Sequence, residues 1–190
     1  MMNLFDFDLW QILLSQILGV IALVIYFITN QHKSKKRYLL LMALGGVFNI
    51  LMLVTLQMWL LSLFGIISLV RNISFYFKES YKDRIPPIVN ILILLIFFSA
   101  AVITTIFTVE IWFEWVAMSF FLIHIFGLWY KGVHLAKLSD MVYCICLAVL
   151  NILILNVMGI VIAANTIISI VIFYMILLVK KQNPETDEAI

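Results

Sequence analysis

The chain has few charged residues, and the charges that it does have leave long stretches of sequence without any. Only 12% of its 190 residues are Asp, Glu, Lys or Arg, whereas 65% are hydrophobic and the mean hydropathy is +1.17. A soluble domain of this size has too little interior to bury so much apolar surface. The composition therefore excludes a water-soluble globular protein and indicates a membrane protein.

Proline, cysteine and recognisable catalytic sets are scarce as well. The three prolines, Pro86, Pro87 and Pro184, interrupt none of the long apolar runs, so each run can form a continuous helix. Cys144 and Cys146 are two residues apart and would lie on different faces of a helix, which argues against a disulfide or a thiolate metal site. No paired carboxylates, Ser-His-acid set or phosphate-binding glycine loop is found within the predicted spans. We therefore predict no enzyme, no cofactor and no metal site.

The apolar runs predict seven transmembrane helices. A hydrocarbon core about 30 Å thick needs roughly 20 helical residues, and the runs lack the alternation of β-barrel strands. Residues 38–77 and 141–179 are each too long for one helix. We expect them to turn near Gln57 and near residues 156–159. The predicted fold class is an all-α polytopic membrane protein whose remaining spans cover residues 10–29, 87–107 and 112–130.

The loop charges predict the orientation of the helices. One side of the predicted membrane carries nearly all the basic residues: Lys33, Lys35, Lys36, Arg37, Lys78, Lys82, Arg84, Lys131, Lys137, Lys180 and Lys181. The other side carries acidic residues alone, namely Asp6, Asp8, Glu110 and Glu114. Because basic loops stay in the cytoplasm, we predict an outside N-terminus and a cytoplasmic C-terminus.

The order of loops repeats along the chain. A basic loop and then a tight outer turn join spans one to three, and the same order joins spans five to seven. We predict two parallel three-helix bundles, residues 10–77 and 112–179, joined by a linker helix at residues 87–107. Residues 182–190 are predicted to form a disordered tail. Asn49 and Asn151 occupy matching positions, eleven or twelve residues into predicted spans two and six, which places both near the bilayer midplane.

Residues 65–76, GIISLVRNISFY, end span three with an Arg-Asn pair followed by an aromatic pair. Together with the basic loop after span one, this segment resembles the small bacterial inner-membrane proteins of the YgjV type, over about residues 16–179. The helix plan of three, one and three is similar to that of the SWEET sugar transporters and their PQ-loop relatives, although the chain has no Pro-Gln pair. The resemblance implies the fold and a bacterial inner-membrane location, and it implies no substrate.

Polar residues inside the predicted spans are the candidates for substrate binding. Those in span three share one helix face by their spacing, and so do those in span seven. We expect the set to line a cavity between the bundles, although the same side chains could instead pair across helices as packing contacts. The candidate residues are Asn49, Ser68, Arg71, Asn72, Asn151, Asn165, Thr166 and Ser169.

Two titratable residues within the spans each allow two interpretations. Arg71 lies seven residues before Lys78, so its side chain could extend to the headgroups, or it could face a cavity and bind an anionic or carbonyl-bearing solute. No acidic residue lies in a predicted span to pair with it. His124, in span five, could relay protons, or it could be a hydrogen-bonded packing residue without a nearby carboxylate.

These features predict a transporter or facilitator of a small, uncharged or weakly anionic solute. Transport would occur by rocking of the two bundles around a midplane site, without proton coupling, because no intramembrane acid is expected. The alternative is a non-transporting membrane sensor or assembly module. The predicted partners are the lipid bilayer and the solute, nucleic acid is excluded, and homo-oligomerisation stays open. A polar cavity that joins Asn49, Asn151, Arg71 and Asn165 would favour the transporter.

Overall fold

The described part of the chain folds into seven α-helices and contains no strand. The computed structural model describes residues 8–57, 59–81, 84–108, 112–130, 132–153 and 157–182. The helices are α1 (Leu9–Gln31), α2 (Lys35–Thr55), α3 (Trp59–Ser80), α4 (Pro87–Thr108), α5 (Phe113–Trp129), α6 (Val133–Leu153) and α7 (Val157–Gln182). Five of them, α1, α2, α4, α6 and α7, contain a stretch long and apolar enough to cross a membrane. The predicted fold class, an all-α polytopic membrane protein, is confirmed.

The helices close into a ring. Each described helix packs against the next one along the chain, and α7 packs against α1. Nδ2 of Asn165 donates to the Leu23 carbonyl at 3.2 Å, and four residues later Oγ of Ser169 donates to the Phe27 carbonyl at 3.0 Å. From the first bond to the second, the position advances by four residues along both helices, so α1 and α7 run in the same direction. The first and last helices of a chain that crosses a membrane an odd number of times must do so.

The ring has an apolar outer surface and polar groups inside. Large side chains on α4 are strongly exposed, such as Phe107 at 83% and Ile96 at 62%. The buried residues include the charged side chains of Arg71, Lys137 and Asp140. A water-soluble protein has the opposite distribution, whereas a hydrocarbon environment favours this one.

Three lysines bind backbone carbonyls where α1 and α5 end. At these ends the carbonyls lack partners within their own helix, and the helix dipole favours a positive charge. The contacts bring the ends of α1, α3 and α5 and the starts of α2 and α6 to one end of the ring, which we call the lysine-bearing end. Lys35 Nζ donates to the Tyr130 carbonyl, Lys78 Nζ to the Trp129 carbonyl at 2.6 Å, and Lys137 Nζ to the Asn30 carbonyl at 2.6 Å.

The helix bounds follow the predicted spans except at α6. The turn predicted near Gln57 is confirmed, because Gln57 lies between α2 and α3 with a left-handed φ of 53°. Helix α6, however, begins at Val133 instead of Met141, so Lys137 and Asp140 lie inside the helix. The predicted span excluded these charges, yet the fold buries both of them. Asn151 therefore lies near the end of α6, and the expectation that it is eleven or twelve residues into its helix is wrong.

Some predictions fall on residues outside the described ranges. They concern most of the tail, one residue of the predicted second turn, and four loop charges: residues 183–190, Asn156, Asp6, Lys82, Glu110 and Lys131. The other residues of that predicted turn, 157–159, belong to helix α7, so the prediction of a turn there is wrong. The division into bundles at residues 10–77 and 112–179 with a linker at 87–107 stays a prediction.

Candidate functional site

A cavity of about 260 Å³ lies inside the ring. Its described wall residues come from every helix except α4. On α2 they run from Met42 to Leu53 and on α6 from Asp140 to Asn151, which at 1.5 Å per residue is a length of about 16 Å. That length is roughly half of a 30 Å hydrocarbon core. A cavity of this volume suits a small solute.

Six of the eight predicted binding residues line this cavity: Asn49, Ser68, Arg71, Asn72, Asn151 and Thr166. The other two, Asn165 and Ser169, are not among the described wall residues and instead bond to backbone carbonyls of α1. The cavity thus joins Asn49, Asn151 and Arg71 but does not extend to Asn165. That any of these residues binds a substrate stays a prediction.

Arg71 faces the cavity and does not extend to the membrane surface. It is 2% exposed. Its Nε and Nη2 donate to Oδ1 of Asn72 at 3.2 and 3.1 Å, and its guanidinium carbon lies 5.0 Å from the centre of the Phe121 ring. The third nitrogen, Nη1, is buried and has no hydrogen-bond partner among the described residues. Of the two interpretations of Arg71, the structure favours the one in which it serves the cavity.

Asp140 provides an acid that the sequence did not predict inside the membrane. Its Oδ1 lies 3.7 Å from His124 Nε2, and its Oδ2 accepts a hydrogen bond from the Tyr38 hydroxyl at 2.9 Å. The Cys144 thiol donates to Oδ1 at 3.8 Å. Both expectations, that no span contains an acid and that His124 has no nearby carboxylate, are wrong. Because α6 begins early, Asp140 enters the ring, where the Tyr38 phenol and the Cys144 thiol replace part of its water shell.

His124 lies between the arginine and the acid. It is 1% exposed, and its Nε2 lies 3.5 Å from Nη2 of Arg71. The Tyr143 ring stacks on the imidazole with centroids 5.4 Å apart and an angle of 9° between planes. Its Nδ1 is buried without a hydrogen-bond partner among the described residues. Arg71, His124 and Asp140 therefore form a row of polar groups along the cavity wall, which we call the polar row.

The helical spacing of α6 contained a signal for Asp140. Asp140, Cys144, Leu147 and Asn151 are separated by three or four residues, so they share one helix face, and all four line the cavity. Extending the face of Asn151 backwards through these positions leads to Asp140. The length of the apolar run alone does not reveal Asp140, because a span predicted from hydropathy ends at a charged residue.

The site can bind a polar solute and can hold a proton. Arg71 and His124 line the cavity and each has one nitrogen, Nη1 and Nδ1, without a hydrogen-bond partner in the described part of the chain, and His124 and Asp140 can each change protonation state. Within the described residues, no group of three or more His, Cys, Asp and Glu side chains could hold a metal ion. Comparison with protein-family models, curated proteins and solved structures finds no match for the chain.

Proposed function

We propose that the protein is a membrane transporter or facilitator of a small solute and that the cavity is its binding site. One observation carries the proposal. Four buried side-chain atoms of the described residues have no hydrogen-bond partner, and two of them, Arg71 Nη1 and His124 Nδ1, belong to residues that line the cavity. Leaving a buried polar atom unpaired costs about 1–3 kcal/mol, and more when the group is charged. A bound solute would supply the partners.

The surroundings of the cavity favour passage across the membrane. The cavity runs along the helices and covers roughly half of the hydrocarbon thickness. A solute held there needs a rearrangement of helices to reach the other side, as in transporters that rock around a central site. The two predicted bundles, residues 10–77 and 112–179, are the units that we propose to move.

The same proposal includes orientation and location. We place the lysine-bearing end in the cytoplasm, with the N-terminus outside, by the positive-inside rule. A bacterial inner membrane and membership of the YgjV-type proteins are also proposed, on the resemblance of residues 65–76. The absence of enzymatic activity stays a prediction.

A flux measurement on the full chain in lipid vesicles tests the proposal. The probes are radiolabelled lactate and lactamide, which have nearly the same size and differ in charge. We expect parent vesicles to take up at least one probe faster than protein-free vesicles, and both Asn49→Leu and Arg71→Leu to reduce this flux. Thr104→Val is the control, because the Thr104 hydroxyl bonds within α4, to the Ala100 carbonyl, away from the cavity.

Equal flux in all the variants, or flux no higher than in protein-free vesicles, would contradict a transport role. The second candidate function is a non-transporting sensor or assembly module. The hydrogen bonds of Asn165 and Ser169 to α1 favour it, since these predicted site residues act as packing contacts. Ligand binding without flux would support this second function.

A further inference from the structure

We propose that the cavity binds a small monocarboxylate together with one proton, with the carboxylate held by Arg71 and His124 and the proton held by His124. This inference rests on the proposed function, because it names the ligand of the same site. It also replaces the expectation that transport is uncoupled from protons.

No carboxylate of the described residues contacts the Arg71 guanidinium directly. None of the ion pairs among the described residues includes Arg71. Its contacts are the neutral amide of Asn72, the imidazole of His124 and the ring of Phe121. A buried charge without an opposite charge costs several kcal/mol. An anion in the cavity would supply that charge and would also accept a hydrogen bond from Nη1.

The two nitrogens without partners among the described residues, Arg71 Nη1 and His124 Nδ1, are both assigned as hydrogen-bond donors. We assign Nε2 of His124 as the acceptor of the contact with Arg71 Nη2 at 3.5 Å, because arginine nitrogens only donate. The proton of the neutral imidazole then lies on Nδ1, which leaves Nδ1 as a second donor. Two donors, one of them charged, match the two oxygens of a carboxylate. A neutral amide would present one oxygen and an NH2 group that donates instead of accepting.

The net charge of the whole site determines whether a proton accompanies the ligand. Without ligand, the positive charge of Arg71 and the negative charge of Asp140 sum to zero, although the two side chains do not form an ion pair, and His124 is neutral. A carboxylate alone would leave one unmatched negative charge within the membrane. When a hydronium ion gives up a proton to His124 Nε2, which faces Asp140 at 3.7 Å, an O–H bond breaks, an N–H bond forms, and Nε2 no longer accepts from Arg71 Nη2. Two opposite pairs result, Arg71 with the ligand and His124 with Asp140, and the site is neutral before and after binding.

The titratable groups around His124 allow this assignment. On α3 the group is Arg71, and on α6 the groups are Asp140, Tyr143 and Cys144. Two phenols come from the first two helices, Tyr26 of α1 on the cavity wall and Tyr38 of α2 on Asp140. The sequence of α4, which packs on α5, contains no titratable residue. Phenols and thiols are neutral at neutral pH by their usual pKa values, so the arginine, the histidine and the aspartate set the charge.

The remaining wall residues indicate the chemistry of the part of the ligand that lies outside its carboxylate. Beside the polar row the cavity is lined by apolar side chains, among them Met42, Phe64, Phe121 and Leu150. Such a wall favours a carboxylate with a compact apolar body. Benzoate fits this description, and benzamide is its neutral counterpart of the same shape.

Calorimetric titration of the purified full chain in detergent with benzoate and benzamide tests the inference. Each titration is run at neutral pH in two buffers with different heats of ionisation, so that the difference gives the number of protons taken up. We expect benzoate to bind more tightly than benzamide by about 10- to 100-fold, as for a hydrogen bond to a charged group. We also expect uptake of one proton with benzoate and of none with benzamide.

Three variants separate the roles in the polar row. Arg71→Gln should remove the preference for benzoate, and Arg71→Lys, which keeps the charge, should preserve it. His124→Gln should bind benzoate more weakly and without proton uptake. Asp140→Asn should still bind benzoate but take up no proton, since the ligand alone then balances Arg71. A merely structural role of Asp140 would not change the proton count.

The inference is overturned if benzamide binds as well as benzoate, if neither binds, or if the Asp140→Asn protein takes up the same number of protons as the parent. If a variant does not fold, the comparison of the two probes on the parent protein still decides. Vesicle flux distinguishes the two proposals. Proton-linked benzoate binding without any flux would refute transport alone, whereas lactamide flux without benzoate binding would refute the inference alone.

Discussion

Tyr38 on α2 donates its hydroxyl to Oδ2 of Asp140 on α6 at 2.9 Å, and neither side chain is more than 4% exposed. The bond joins residues that are 102 positions apart in the chain. It connects the first three helices with the last three across the interior of the ring. The pair shows how the fold keeps a carboxylate within an apolar environment, by replacing water with a buried donor.

We predict that Tyr38→Phe destabilises the protein by about 1–3 kcal/mol, because Asp140 loses a buried donor to a charged group. Thermal unfolding of the detergent-solubilised chain, followed by tryptophan fluorescence, measures the change. Tyr174→Phe is the matched control, because Tyr174 makes a more exposed bond of 3.2 Å to the His134 carbonyl. Equal stability loss in both proteins would argue against a special role of the bond to Asp140.

Lys137→Met should lower stability by about 1–3 kcal/mol, since the charged donor at the end of α1 disappears. In the parent, Lys137 Nζ donates to the Asn30 carbonyl at 2.6 Å and lies 2.9 Å from the centre of the Phe173 ring. Lys33→Met, at an exposed loop position, should change stability by less than about 0.5 kcal/mol. Thermal unfolding followed by tryptophan fluorescence measures both losses. A larger loss of stability in Lys33→Met than in Lys137→Met would contradict the prediction.

Adjacent glycines on α2 should respond in opposite ways. A Cβ at Gly46 would meet nothing closer than 4.0 Å, and Gly46 lines the cavity, so Gly46→Leu should fold normally and reduce flux by filling the cavity. A Cβ at Gly45 would lie 2.8 Å from Cε1 of the Tyr26 ring, so Gly45→Ala should destabilise the fold by about 1–3 kcal/mol. Flux and thermal unfolding are measured for both. Full flux in a folded Gly46→Leu protein would show that the solute does not use this cavity.

Ser169→Ala should weaken the contact between α7 and α1 by about 0.6 kcal/mol and by no more than about 1.7. Ser169 donates to the Phe27 carbonyl and accepts from Gln31 Nε2, each at 3.0 Å. Ser119→Ala is the control, because the Ser119 hydroxyl bonds within its own helix to the Trp115 carbonyl. Thermal unfolding of the two variants compares the losses, and benzoate titration checks the site. Loss of benzoate binding in a folded Ser169→Ala protein would place Ser169 in the site after all.

Much of the candidate site follows from residue spacing, and the remainder depends on partners far away in the chain. Ser68, Arg71 and Asn72 lie on one face of α3 by simple helical periodicity, and all three line the cavity. Asn165 and Ser169 satisfy the same rule, yet they face α1. Spacing within one helix shows which residues share a face, but the neighbouring helix determines whether that face meets a cavity or a contact.

The sequence by itself determined that the protein is helical and lies in a membrane, because hydropathy and helical periodicity are properties of consecutive residues. It also determined the alternation of basic and acidic loops. Only the tertiary structure decided that Arg71 and His124, 53 residues apart, meet beside Asp140. The physical reason is that a charge can remain buried only where other helices provide its partners, and those partners come from distant parts of the chain.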